Sequence, residues 1–66
     1  MTNSVRQARR RADLTQQELA DAVGVSRQTV ISVEQGRYRP SVELALKLGR
    51  ALGLPVEELF RLEEDE

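Results

Sequence analysis

Apolar residues recur three or four positions apart along most of this chain, with polar residues between them, the period of helices that bury one face. Val5, Ala8 and Ala12 mark such a face in a first helix over about 4–12, and Ser4 with Gln7 stands at capping-box spacing at its start. Thr15 and Glu18 repeat that spacing ahead of Leu19, Ala20 and Val23, which predicts a second helix over 16–23 ended by Gly24. Only Val25 separates Gly24 from Ser26, the N-cap of a third helix over 27–35 whose inward residues are Val30 and Val33. Gly36 stops that helix, and the basic loop Arg37-Tyr38-Arg39-Pro40 leads to Ser41, the cap of a fourth helix over 42–52 closed by Gly53. Pro55 suits the first position of a short fifth helix over 55–60, with Glu57 and Glu58 near its positive end. The pattern predicts an all-α fold of five short helices. No internal strand is expected, although Arg61-Leu62 alternates and leaves room for a strand pair with Met1-Thr2-Asn3.

Helices two and three form the informative unit. A connection this short forbids antiparallel packing, so the two must cross steeply. Close crossing needs a small residue on helix two, supplied by Ala20. The turn needs a residue that tolerates positive φ, supplied by Gly24, and Val30 and Val33 plug the joint. Each feature is common alone; in this order and at these spacings they point to a helix-turn-helix.

Composition narrows the chemistry. The chain has 66 residues, no cysteine and no histidine, so disulfides, thiol chemistry and the commonest metal ligand and general base are excluded. No nucleophile–base pair or metal-like carboxylate cluster is present, and an enzyme, a metal site and a cofactor are not expected. The core must be aliphatic, because Tyr38 and Phe60 are the only aromatics. No apolar run approaches the ~20 residues of a membrane span, and the first residues lack a signal peptide's apolar stretch, so a soluble, cytoplasmic protein is expected. The net charge of −1 conceals a segregation: residues 1–50 hold nine Lys/Arg against five Asp/Glu, whereas residues 51–66 hold one Arg against six acids. A basic body with an acidic tail over 61–66 fits a nucleic-acid binder, and equally a helical protein with solvated charged faces.

The segments Leu14-Thr15-Gln16-Gln17-Glu18-Leu19-Ala20, Gly24-Val25-Ser26-Arg27-Gln28-Thr29 and Val33-Glu34-Gln35-Gly36 resemble the Cro/C1-type (XRE) helix-turn-helix regulators, short stand-alone members in particular. Pro40-Ser41 with the following helix, then Glu57-Glu58-Leu59-Phe60, extends the resemblance over roughly residues 4–60. It implies a compact, lambda-repressor-like five-helix domain that binds operator DNA as a dimer, in some short relatives with a terminal strand pair. By position, Gln16 resembles the family's phosphate-contacting glutamine, and Arg27, Gln28 and Ser32 match base-reading positions. Arg9 and Glu34 match a salt bridge joining helix one to helix three. Two departures stand out: Pro55 replaces the usual Ser or Thr cap of helix five, and Leu44 occupies a commonly polar position, which adds apolar surface.

The residues themselves carry the same reading. With Val30 and Val33 inward, Arg27, Gln28, Ile31 and Ser32 share the opposite face. Arg pairs bidentately with guanine, Gln with adenine, and an exposed Ile meets a thymine methyl group. Ile31 suits packing against a neighbouring helix equally well. Gln16, Ser26, Thr29, Arg37, Tyr38 and Arg39 are the expected phosphate contacts around that face, although each also suits an ordinary solvated surface position. Arg10 and Arg11 read as solvated. Leu44, Val56 and Phe60 are the apolar residues left over for a homodimer interface, with Leu59 capping the core. The expected function is sequence-specific binding of double-stranded DNA by a homodimeric transcriptional regulator, in the repressor role since blocking a promoter needs no further parts. An activator, and an antitoxin-like interaction module with secondary DNA binding, are the rivals. Neither a membrane nor a small-molecule ligand is expected as a partner.

Overall fold

The computed structural model describes residues 1–64, whose elements run β1 (Thr2–Asn3), α1 (Val5–Arg11), α2 (Gln16–Val23), α3 (Arg27–Glu34), α4 (Val42–Leu52), α5 (Val56–Leu59) and β2 (Phe60–Arg61). The rest of the acidic tail, 65–66, lies outside the described residues. Local capping chemistry sets most of these bounds. Thr15 and Glu18 form a reciprocal capping box at the start of α2, with Glu18 N–H donating to Thr15 Oγ1 at 3.0 Å and Thr15 N–H to Glu18 Oε1 at 2.8 Å. Ser26 and Ser41 accept from the backbone N–H groups of Thr29 and Leu44 at the starts of α3 and α4. Such caps satisfy donors that the first helical turn leaves without partners.

The first helix starts differently from its sequence pattern. Ser4 makes no side-chain cap, and its backbone (φ −117°, ψ 25°) is not the extended form a cap uses. Its N–H instead donates to the Leu59 carbonyl at 2.8 Å, and Asn3 Oδ1 accepts from Val5 N–H at 3.1 Å. The long-range bond displaces the Ser4–Gln7 capping box. The helix ends at Arg11, followed by Asp13 in the left-handed region (φ 60°). Ala12 therefore falls at the exposed C-cap rather than on the buried face, while Val5, Ala8 and Arg9 are enclosed.

A smaller difference concerns the carboxyl end. Pro55 is the extended N-cap of α5 rather than its first helical residue. The terminal strand pair that the sequence left room for does form: it is antiparallel, with Thr2 opposite Arg61 and Asn3 opposite Phe60.

The core is aliphatic and spans all five helices: Val5, Ala8, Leu19, Ala20, Val23, Val30, Val33, Leu44, Leu48 and Leu59, with Leu14, Val25, Leu52, Leu54 and Phe60 packed at its margin. Ala20 is completely buried, as a close crossing of α2 and α3 requires. Gly24 ends α2 at φ 74°, where a side chain would be strained. Leu44 is a correction to the sequence reading: at 8 % exposure it belongs to this core and adds no apolar surface. Its place on α4, one position before Ala45 and four before Leu48, turns it inward with them.

Candidate nucleic-acid interface

The face of α3 opposite its core residues carries its polar side chains. Val30 and Val33 are buried, whereas Arg27 and Gln28 are exposed and Thr29, Ile31 and Ser32 are half-buried. Ser26 Oγ lies 2.9 Å from Thr29 Oγ1 besides capping the helix, so these two hydroxyls occupy one corner at its N-terminus. Gln28, Thr29, Ser32 and Tyr38 line a shallow depression beside the helix. Ile31 keeps both of its readings, being half-covered by protein.

The basic loop is tied to that helix by its backbone. Gly36 N–H donates to the Val33 carbonyl at 3.0 Å, and Arg37 N–H to the Ser32 carbonyl at 2.9 Å, the paired bonds of a Schellman ending. The motif needs a left-handed residue between them, which Gly36 supplies at φ 76°. Tyr38 N–H adds a longer bond to the Ser32 carbonyl at 3.3 Å. Arg37, Tyr38 and Arg39, all exposed, thus follow α3 at a determined position rather than on a loose loop.

A buried ionic cluster locks α1 against α3. Arg9 Nε donates to Glu34 Oε2 at 2.7 Å, Arg9 Nη2 reaches Glu34 Oε1 at 3.5 Å, and Arg9 Nη1 donates to the Leu14 carbonyl at 2.7 Å. The Arg9 side chain is 10 % exposed and that of Glu34 is fully enclosed. Burial by itself would raise the Glu34 pKa. Hydrogen bonds from Arg9 and Gln16, with the charges of Arg9 and Arg6, outweigh it and hold the carboxyl below its ordinary value.

Two members of this arrangement have no counterpart in the sequence reading. Gln16 Nε2 donates to Glu34 Oε1 at 3.2 Å, so the residue expected on phosphate is anchored within the protein through one amide hydrogen. Arg6 lies 3.6 Å from the same oxygen. A third omission is Asn3, whose Nδ2 donates to the Val33 carbonyl at 2.8 Å. Its distance from α3 along the chain left no local signal. Among the described residues the exposed large apolar side chains are Tyr38, Val42, Leu46 and Leu62, while Val56 and Phe60 are half-buried. No helix among the described residues is long and apolar enough to cross a membrane.

Helices α2 and α3, joined by the short turn Gly24-Val25-Ser26 and packed on each other, with polar side chains on the outward face of α3 and cations beside it, define a helix-turn-helix domain. The helix-turn-helix family model matches residues 5–59, and the chain belongs to that family, the Cro/C1-type (XRE) DNA-binding transcriptional regulators. It is 50 % identical over 66 aligned residues to an uncharacterized HTH-type transcriptional regulator of Methanothermobacter thermautotrophicus, covering 98 % of this chain and 96 % of that one. It is 34 % identical over 58 residues to the cryptic phage CTXphi transcriptional repressor RstR of Vibrio cholerae, covering 88 % of this chain and 52 % of RstR. Among solved structures, the restriction-modification controller protein C.AhdI of Aeromonas hydrophila superposes with a TM-score of 0.79 at 38 % identity over 85 % of both chains.

Proposed function

We propose that this regulator is a repressor that binds a palindromic operator in the cytoplasm as a homodimer, placing one α3 in each of two successive major-groove faces. The observation that carries the reading is the division of α3 between two buried valines, Val30 and Val33, and the exposed pair Arg27 and Gln28 at its N-terminal end. Arg27, Gln28, Ile31 and Ser32 are the proposed base contacts; Gln16, Ser26, Thr29, Arg37, Tyr38 and Arg39 are the proposed backbone contacts. A single helix reads only a few base pairs, so two copies with half-site centres ~34–36 Å apart are needed to define a site. Blocking a promoter needs no more than such occupancy, and the likeness to RstR, itself named a repressor, supports that direction of regulation.

The proposed dimer surface shifts from the one the sequence indicated. Leu44 is excluded by its burial. Val42 and Leu46 lie one helical turn apart on the outside of α4, 78 % and 59 % exposed. Gly49 follows on the same side, and a Cβ added to it would lie 3.8 Å from Val56 Cγ2. Val42, Leu46 and Val56, with Phe60 at the margin, form the apolar stripe proposed to pair with a second copy.

Selection of bound duplexes from a random pool tests the whole reading. Palindromic winners with half-sites about 10 base pairs apart are expected, and such a site placed over a promoter should silence transcription in a purified system. Asymmetric single sites bound tightly by monomers would overturn the dimer, and stimulated transcription would overturn the repressor role.

A further inference from the structure

Glu34 gathers more donors than its bond to Arg9 requires. Around Oε1 lie Gln16 Nε2 at 3.2 Å, Arg9 Nη2 at 3.5 Å and Arg6 Nε at 3.6 Å, while Oε2 takes Arg9 Nε at 2.7 Å. Arg9 is the structural member, enclosed and also bound to the Leu14 carbonyl. Arg6 is different in kind. Its side chain is 47 % exposed, and its approach to Glu34 is an ion pair longer than a hydrogen bond.

Such a partly exposed pair contributes little to stability. Its effect is positional and electrostatic. Arg6 and Arg9 bring two positive charges to the single negative charge of Glu34, which leaves one cation in surplus at the α1–α2–α3 junction. The surplus lies on the exposed member, and the carboxylate oxygen that holds Arg6 also holds Gln16. A half-exposed guanidinium resting on an enclosed carboxylate is held near one position while keeping much of its donor-rich surface open to solvent. Guanidinium groups in that condition suit phosphate oxygens, which they bind through several N–H donors at once.

We propose that Arg6 binds the DNA sugar-phosphate backbone, held beside Gln16 by their shared Glu34 carboxylate, so that the start of α1 extends the backbone-gripping edge of the reading unit. This rests on the placement of α2 and α3 against DNA proposed above. Arg6 acts through charge and carries no base information, so its contribution is equal on all sequences.

Wild type, Arg6→Ala, Arg6→Lys and Arg27→Ala are titrated across a salt series with a duplex recovered from the random pool and with a scrambled duplex, and each is melted without DNA. Arg6→Ala is expected to weaken both duplexes by the same factor, about fivefold near physiological salt, and to lower the salt slope by about one unit. Its thermal midpoint should stay at the wild-type value, and Arg6→Lys should recover the slope. Arg27→Ala should weaken the selected duplex more than the scrambled one. If Arg6→Ala leaves affinity and slope unchanged while Arg27→Ala loses discrimination, Arg6 serves only as a counter-charge to Glu34 and the proposal fails alone. A lowered midpoint with an unchanged slope overturns it in the same way. If wild type binds neither duplex, the DNA-facing placement fails and takes this proposal with it.

Discussion

Asn3 and Val33 are joined by a 2.8 Å hydrogen bond from the Asn3 amide to the Val33 carbonyl, across thirty residues of chain. The other end of the same amide caps α1 by accepting from Val5 N–H at 3.1 Å, and the Asn3 backbone pairs with Phe60 in the strand ladder. This one residue therefore connects the last turn of α3, the first turn of α1 and the terminal strand pair.

The two ends of that amide are separable by mutation. Asn3→Ala removes both bonds and should cost about 1–3 kcal/mol, from ~0.5–1.5 per hydrogen bond. Asn3→Asp keeps the cap on α1, with a charge favourable to a helix N-terminus, but sets a carboxylate oxygen against the Val33 carbonyl. Its thermal midpoint should therefore fall between those of wild type and Asn3→Ala. Equal midpoints for wild type and Asn3→Ala would show that the tie to α3 contributes nothing.

Arg9 and Glu34 should couple strongly. Truncating one partner of a buried pair costs ~3–5 kcal/mol, because the other is left charged and enclosed. Arg6 and Gln16 remain beside Glu34 after Arg9→Ala, which places that variant toward the lower end. A double-mutant cycle read by denaturant unfolding should return an interaction energy well above 1 kcal/mol, since contacting pairs couple by about 0.5–3 kcal/mol. Additive losses would falsify the coupling.

The same carboxylate sets a pH dependence. Its folded pKa lies below the ordinary value of 4.5, so the folded state favours the ionised form. The stabilisation is complete above 4.5 and is lost as pH falls through the lowered folded value. Melting Glu34→Gln alongside wild type in an acid series isolates this part. The gap between their midpoints should narrow as pH drops below 4.5, and a constant gap would rule out the titration of Glu34 as its source.

Gly49 is a packing requirement. A Cβ there would lie 2.7 Å from the Leu54 backbone carbonyl oxygen. Gly→Ala in an open helix interior gains up to about 1 kcal/mol. Here overpacking, about 1–3 kcal/mol, should exceed that gain. Gly49→Ala is expected to melt below wild type; a higher melting point would mean that the turn between α4 and α5 yields freely.

Leu46→Glu tests the dimer with little risk to the fold, since the side chain is already 59 % exposed. The variant should sediment as a monomer, keep its helical circular dichroism and bind only weakly to a half-site. Val56→Glu should do the same with some loss of stability, because Val56 is half-buried against α4. Wild type that sediments as a monomer at micromolar concentration removes the basis for the stripe.

What the sequence determined by itself is whatever acts within a turn or two of chain. Thr15 with Glu18, Ser26 and Ser41 cap helices with partners three residues away, and Gly24 and Gly36 end helices through their own backbone freedom. The outward face of α3 was legible for the same reason, since the spacing of Val30 and Val33 alone orients Arg27 and Gln28. Tertiary structure decided every point where a distant residue competes for the same group. Leu59 takes the Ser4 N–H and so moves the cap of α1 to Asn3. The core claims Leu44 and leaves Val42 and Leu46 outside, a choice that the packing of the helices makes because the periodicity of α4 offers apolar residues on both sides. Glu34 likewise draws Arg6, Arg9 and Gln16 from two other helices, because an enclosed carboxylate must be surrounded by donors wherever the chain can bring them.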